Sequence, residues 1–280
     1  MSKTPTRIAL VAGAVVLIAA LGLIVLDRAM RSIVVQTVTS ISGRQLSIEG
    51  DFDVDYFPWP PRVRAEQVSF ANAPWGTEPT MLEMQALEFT IEVLPLLRGQ
   101  LVAPEVILTS PNVVLERSAD GRRNWILSPE QSGTETGPRI GRLVVNGGAL
   151  TYRDPTAKTE LFLGIATNPA GANPGAATTF GVNGRFRGLP LSASGSGGEV
   201  LALRDTSTPF AIEAKFRVGG VSGTIDGTVT GLTTLTAFDL ALTATGKNLA
   251  GLTPVFNVPV DVPQFRAAGR LSHRAEQWSF

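Results

Sequence analysis

The chain contains no cysteine and one histidine, His273. The first absence removes disulfides, thiolate zinc sites, a lipoprotein anchor and cysteine nucleophiles together. The second removes His-Glu-x-x-His and every multi-histidine metal centre. A Ser-His-Asp triad would depend on His273, and no G-x-S-x-G elbow occurs. The P-loop and G-x-G-x-x-G patterns are missing too; Gly195-Ser196-Gly197-Gly198 leads into neither a helix nor a fingerprint. Tyrosine is held to 2 and tryptophan to 4, too few for the aromatic girdles of an outer-membrane barrel. Neither sign of charge is in excess, with 24 basic and 24 acidic residues, so the basic footprint of a nucleic-acid binder is missing. No metal, cofactor, nucleic-acid partner or enzymatic activity is expected.

What is present begins with Ile8 to Leu26, a run of apolar residues and glycine without charge or proline. As a helix it is roughly 28 Å long, close to the hydrocarbon thickness of a bilayer. A cleaved signal core is shorter and ends in a small-residue cleavage site, whereas this run meets Asp27-Arg28-Ala29-Met30-Arg31. The segment is expected to be a retained anchor. Thr4 and Pro5 suit a helix start. Ile33, Val34, Val38 and Ile41 recur at helical spacing and extend the helix towards a stop at Gly43. Lys3 and Arg7 before the run balance Arg28 and Arg31 after it, so charge leaves the orientation open.

From Leu46 the periodicity changes to two. Leu46, Ile48, Phe52, Val54 and Tyr56 face one way, and Ser47, Glu49, Asp51, Asp53 and Asp55 the other. Phe57-Pro58-Trp59-Pro60-Pro61 breaks that strand. Glu83 to Val93 sets Leu87, Phe89, Ile91 and Val93 against Glu88, Thr90 and Glu92, with a one-residue slip of phase between Met84 and Leu87 that predicts a bulge or a strand end. Phe210, Ile212, Ala214, Phe216 and Val218 oppose Glu213, Lys215 and Arg217. Val221, Ile225 and Val229 oppose Ser222, Thr224, Asp226, Thr228 and Thr230, with Gly223 and Gly227 on the apolar phase. Leu240, Leu242 and Ala244 oppose Thr243 and Thr245. Ser128 to Pro138 and Asn168 to Thr179 read as long loops. The expected division is an anchor and juxtamembrane helix at 1–43, a first β segment at 44–127, a linker at 128–138 and a second β segment at 139–280.

A sheet with one dry face needs something apolar against it. A second sheet would make a sandwich; a long curved sheet would leave an open groove for lipid; alternation alone also fits a membrane barrel. Asp51, Asp53 and Asp55 share one strand face, which suits calcium or an acid/base pair but suits a solvated outer face better. Asp120-Gly121 is a turn signal. Arg122 and Arg123 beside it could meet lipid head groups, although two arginines at a turn are usually just exposed.

The landmarks in order resemble the N-terminal part of the AsmA-like family: a single anchor; Gly43-Arg44 leading into Leu46-Ser47-Ile48-Glu49-Gly50; the proline-rich break; Val68-Ser69-Phe70-Ala71-Asn72-Ala73-Pro74-Trp75; Leu94-Pro95-Leu96-Leu97-Arg98-Gly99; Asp120-Gly121-Arg122-Arg123-Asn124-Trp125; and Asn146-Gly147-Gly148-Ala149-Leu150-Thr151-Tyr152-Arg153-Asp154. Asn146 stands where the family usually has aspartate. The resemblance implies a bacterial inner-membrane, single-pass protein with its β-rich domain in the periplasm. It also implies kinship with bridge-like lipid transfer proteins, in which sheets form a gutter lined with apolar side chains. Its implied partners are phospholipid, the inner membrane and outer-membrane or envelope-assembly proteins, with roles in outer-membrane homeostasis. The chain stops at Trp278-Ser279-Phe280, mid-strand by pattern, and reads as part of a longer protein.

The expected fold is therefore mainly β: a transmembrane helix followed by curved antiparallel sheets forming an elongated apolar groove. Removing about 30 methylenes of acyl chain from a bilayer into water costs on the order of 20 kcal/mol. A dry face lowers that barrier without bond chemistry. The expected lining is Leu46, Ile48, Phe52, Val54, Tyr56, Leu87, Phe89, Ile91, Val93, Phe210, Ile212, Phe216, Val221, Ile225, Val229, Leu240 and Leu242. Ile33, Val34, Val38 and Ile41 are placed to pass lipid from the bilayer to the first strand. A tethered scaffold with a closed sandwich remains the alternative.

Overall fold

Period-two alternation recurs along nearly the whole chain after Gln45, and in the computed structural model it builds one sheet rather than several. The structure describes residues 29–40, 42–57, 59–96, 98, 102–127, 139–167, 177–198, 209–230, 237–256, 262–274 and 277–279. The apolar run Ile8–Leu26, Ile41 and the linker 128–138 lie outside them. Among the described residues no helix is long and apolar enough to cross a membrane.

Sixteen strands form the sheet. They are β1 (Leu46–Ile48), β2 (Phe52–Asp55), β3 (Arg62–Ala71), β4 (Thr80–Thr90), β5 (Val102–Thr109), β6 (Asn112–Glu116), β7 (Arg139–Asn146), β8 (Gly148–Asp154), β9 (Thr159–Thr167), β10 (Thr178–Phe186), β11 (Leu189–Gly197), β12 (Pro209–Val218), β13 (Val221–Thr230), β14 (Ala237–Asn248), β15 (Pro263–Arg274) and β16 (Gln277–Ser279). Helical pieces are few: α1 over 29–40 with residue 42, α2 (Val93–Leu96), a 3-10 turn (Leu249–Leu252) and α3 (Thr253–Phe256). From β8 to β16 each strand pairs with the next, antiparallel throughout. The two exceptions to antiparallel order are β5–β7 and β6–β8, which are parallel. They arise because the chain leaves β6, passes through 117–138 and re-enters beside the start of β5. The sheet does not close: β1 and β2 pair only with β3, and β16 only with β15.

Three pairs of strands are single rows broken in the middle: β1 with β2, β5 with β6, and β7 with β8. The breaks line up. Ile48 pairs with Val68 but Phe52 with Ala65, so Glu49–Asp51 holds one residue more than the facing stretch of β3. On β3, Gln67 takes φ 51 there; Ser110 (φ 50) separates β5 from β6, and Gly147 (φ 68) separates β7 from β8. β4 keeps step with β3 across the seam, Met84 with Val68 and Leu87 with Ala65. The phase slip legible between Met84 and Leu87 thus lies on a seam shared by five rows, but it is neither a bulge nor a strand end in β4, which runs unbroken from Thr80 to Thr90. The backbone remains paired through the seam: Glu49 N–H donates to Gln67 O (3.1 Å), Ser110 N–H to Asn146 O (2.8 Å) and Ala149 N–H to Pro111 O (2.7 Å). A bulge adds twist and bends the strand that carries it. Here it also returns the apolar phase to one face on both sides: Ile48, Ala65, Val68 and Met84 share a buried cluster with Leu46, Phe52, Leu82, Leu87 and Leu108.

α1 covers the edge of that cluster through Val35. Its C-terminus is fixed by Gly43, in the left-handed region at φ 66, whose N–H donates to Thr39 O (2.9 Å). Leu46 N–H donates to Thr39 Oγ1 (3.2 Å), and the Arg31 guanidinium donates to Ile48 O. Going back along α1 from Thr39 to Arg31, the contacts move forward along β1 from Leu46 to Ile48. The helix therefore runs antiparallel to the strand.

Several expectations change in detail. The stretch Leu46–Tyr56 is two strands, and Tyr56 lies just past β2. β4 ends at Thr90, and Val93 opens the short helix α2 instead of closing a strand, because Pro95 cannot continue a ladder. Thr178 and Thr179 belong to β10, not to a loop. Asn146-Gly147 is a kink in a continuing row, not a turn between paired strands.

Candidate functional site: the uncovered apolar face of the sheet

Register places the apolar phases of β12, β13 and β14 on one face. Phe210 pairs with Val229 and Val229 with Phe238; Ile212 with Gly227 and Gly227 with Leu240; Ala214 with Ile225 and Ile225 with Leu242; Val218 with Val221. The phase continues through Leu191, Ala193, Gly195 and Gly197 of β11 to Gly184, Val182, Phe180 and Thr178 of β10. It passes on to Leu161, Leu163 and Ile165 of β9, then Tyr152, Leu150 and Gly148 of β8. In the first half, Leu46, Ile48, Phe52 and Val54 pair with Phe70, Val68, Ala65 and Val63. Leu87 and Phe89 continue from Ala65 and Val63. Ile91 and Tyr56 sit half-buried just beyond the strand ends, as does Val93 in α2.

No second sheet lies over this face among the described residues. Ile48, Val221 and Val229 are buried; the other expected lining residues are half-buried. In a sandwich, side chains of two facing sheets interlock and the inner rows are sealed. Among the described residues, the 3-10 turn Leu249–Leu252 packs back onto the second half. It touches β13 and β15, where Val221 is 1% exposed and Leu252 7%.

Small residues keep the dry face low. A Cβ at Gly223 would stand 2.7 Å from the Phe216 ring, and one at Gly246 would stand 2.8 Å from the Phe265 ring. Both glycines are the register partners of those phenylalanines. Each ring therefore packs against its neighbour's bare backbone, an arrangement that protects glycine in a strand from water.

The opposite face is charged and self-compensating in places. Asp53 and Asp55 pair in register with Arg64 and Arg62. Arg64 donates to Glu66 Oε1 (2.7 Å) and lies 3.4 Å from Glu88; the hydrogen bond to Glu66 and these charges hold its pKa above the usual arginine value. Arg270 donates to Asp239 Oδ2 (2.9 Å), with the same consequence. The acidic strand face is thus one side of a charge ladder, and no group of acidic or histidine residues among the described ones is arranged to hold a metal. His273 stacks on Phe238 at 5.6 Å, in register with it on the dry face.

A second locus was hidden in the sequence. At one end of the sheet's first half, Glu116, Asn72 and Asn124 are buried together. The Glu116 carboxylate accepts from Asn72 Nδ2 (2.9 Å), Thr77 N–H (3.0 Å) and the Thr77 hydroxyl, with Arg153 at 3.5 Å. Asn124 Nδ2 donates to Asn72 Oδ1 (2.9 Å) and Val114 O (2.8 Å), and Asn124 Oδ1 accepts from Glu116 N–H (2.9 Å). Arg44 donates to Asn124 O. Burial by itself would raise the Glu116 pKa; the hydrogen bonds from Thr77 and Asn72, with Arg153, outweigh it and hold the carboxyl below the usual range. Arg122 lies 5.2 Å over the Trp75 ring and binds Asp120 Oδ2 (2.7 Å), while Arg123 lies 5.9 Å from the Trp125 ring. Both arginines are exposed at the turn, as expected, and each also lies over a tryptophan ring of its own chain. The members run from Arg44 to Arg153, and one bonded pair, Arg44 and Asn124, is 80 residues apart, so no local pattern announced them. Each acceptor is matched by a donor within the chain, which makes the locus a clasp holding the β3–β4 and β6–β7 connections on the sheet.

One wide sheet, open at both edges and with no second sheet over its apolar side among the described residues, defines an open-sheet β protein. The AsmA family profile matches residues 5–161, more than half of the chain, and the chain belongs to that family. The clasp gathers Arg44, Asn72, Asn124 and Arg153, which lie in the stretches that carried the resemblance. Over 97% of its length the chain is 27% identical to the AsmA family protein YhjG of Escherichia coli (strain K12), and it spans 45% of that relative's length.

Proposed function

We propose that the protein is a single-pass bacterial inner-membrane protein whose periplasmic sheet supports phospholipid transfer and outer-membrane homeostasis or assembly. The apolar face acts as a groove that shields acyl chains while head groups remain in water. The protein works without catalysis: lipid is moved, not altered, and its partners are phospholipid, the inner membrane and envelope-assembly proteins. One observation carries this reading. A row of apolar side chains runs from Leu46 to Leu242 on a sheet that no second sheet covers among the described residues. Half-exposed aliphatic surface is costly in water, at about 25 cal/mol per Å², and hydrocarbon tails relieve that cost. The missing second layer also disfavours a scaffold built as a closed sandwich.

In-cell photo-crosslinking tests the reading. Photoreactive side chains at Phe52 and Phe216 are expected to capture lipid, and those at Asp53 and Lys215 are not. Equal capture from both faces, or none from either, would remove the groove.

A further inference from the structure

We propose that the loop tip bearing Phe57, Trp59 and Leu94 is a membrane-docking surface that dips into the phospholipid bilayer holding the anchor. This rests on the anchored reading above.

Phe57 is 87% exposed, Leu94 69% and Trp59 65%; no other large apolar residue among the described ones is as exposed. They come from two connections that leave the same end of the sheet, the β2–β3 loop and the β4–β5 segment that contains α2. Ile91 N–H donates to Pro61 O (3.0 Å), joining the foot of one connection to the foot of the other, and Glu92 N–H donates to Val102 O (3.0 Å), closing the second connection on itself. Isolated exposed apolar residues are ordinary, but an aromatic pair and a leucine gathered at one tip are not. Tryptophan favours the bilayer–water interface, where its ring is buried and its N–H remains wet. The other end of the sheet treats tryptophan differently: Trp75 and Trp125 each have an arginine over the ring. Arg98, in the turn just past α2, is exposed and can meet a lipid phosphate.

Direction selects the occupant. α1 runs antiparallel to β1, so its N-terminal end, with Met30, Ile33 and Val34 exposed, points towards the tip. The apolar run Ile8–Leu26 immediately precedes that end. The bilayer that takes up the run lies on the tip's side of the sheet, not the clasp's. From Ile48 to Phe57 is about 30 Å of strand. The tip therefore meets the interface only with the strands oblique to the bilayer normal, and the bulge seam supplies a bend within that length.

The cysteine-free chain makes the test direct. The full chain carrying Glu92→Cys, labelled with an environment-sensitive fluorophore, is reconstituted into phosphatidylethanolamine–phosphatidylglycerol vesicles doped with spin-labelled lipid. Quenching at position 92 is expected to be several-fold stronger than at Ala119→Cys on the clasp end. The Phe57→Asp/Trp59→Asp pair, or Leu94→Asp alone, is expected to bring it down towards the Ala119 level. Quenching at 92 no stronger than at 119, or unchanged by those substitutions, overturns the docking tip. A label at Leu17→Cys separates the two ideas. Quenched there but not at 92, the anchor stands and the tip falls; unquenched at Leu17, the anchored reading fails and takes the docking with it.

Discussion

The ring of Phe216 lies across Gly223, its register partner on the next strand, and fills the space a side chain would need. A methyl group at Gly223 would also run into the carbonyl of Thr243, which is backbone and cannot swing aside. Gly223→Ala is expected to cost about 1–3 kcal/mol through overpacking. The urea midpoint of the purified chain measures it. Phe216→Ala would relieve only the ring contact, so combining the two should not restore stability.

Glu116 sets an acid limit on the fold. Its folded-state pKa lies below the unfolded value. Its contribution is therefore complete above the unfolded pKa, about 4.3, and is lost as pH falls through the folded one. Thermal melts between about pH 7 and pH 3 should show the midpoint falling in that lower window. Glu116→Gln should flatten the acid limb and lower stability at neutral pH by about 1–3 kcal/mol, since the amide nitrogen would face donors it cannot accept from. An identical acid limb in the variant would show that another group sets it.

Asn124 is 0% exposed and joins three partners of the clasp. Asn124→Ala leaves Glu116 N–H and Val114 O without that partner and is expected to cost about 3 kcal/mol. A double-mutant cycle with Asn72→Ala should give clear coupling, because the two amides bond directly. Purely additive losses would count against a joint network.

The two sides of α1 should respond in opposite ways. Val35 packs on the cluster around Ile48, and Val35→Asp is expected to destabilise by about 2–3 kcal/mol. Ile33 is 57% exposed, and Ile33→Asp should leave the melting temperature nearly unchanged. If lipid passes along this helix, Ile33→Asp should nonetheless weaken crosslinking of lipid at Phe52.

Alternation made the strands legible wherever large aliphatics mark every second position, as in β12 to β14. It was weakest in β10 and β11. Gly181, Gly184, Gly195 and Gly197 blur the apolar phase there, and long pairing rather than local pattern sets the register. The slip at Met84–Leu87 was readable on its own strand. Its companions at Gln67 and Ser110 were not, because ordinary residues adopt a left-handed backbone there only under the pull of neighbouring rows. The clasp was illegible for a different reason: Asn72, Glu116 and Asn124 are unremarkable singly, and only folding brings them together.

The seam at Glu49–Asp51, Gln67, Ser110 and Gly147 binds five rows to a common change of phase. Adding or deleting one amino acid at any single crossing would turn that row inside out beyond the seam, sending its oily groups to water and its ionic groups towards grease. Length at these crossings can therefore drift only in concert, whereas the hairpin tips of the later strands can grow or shrink one at a time.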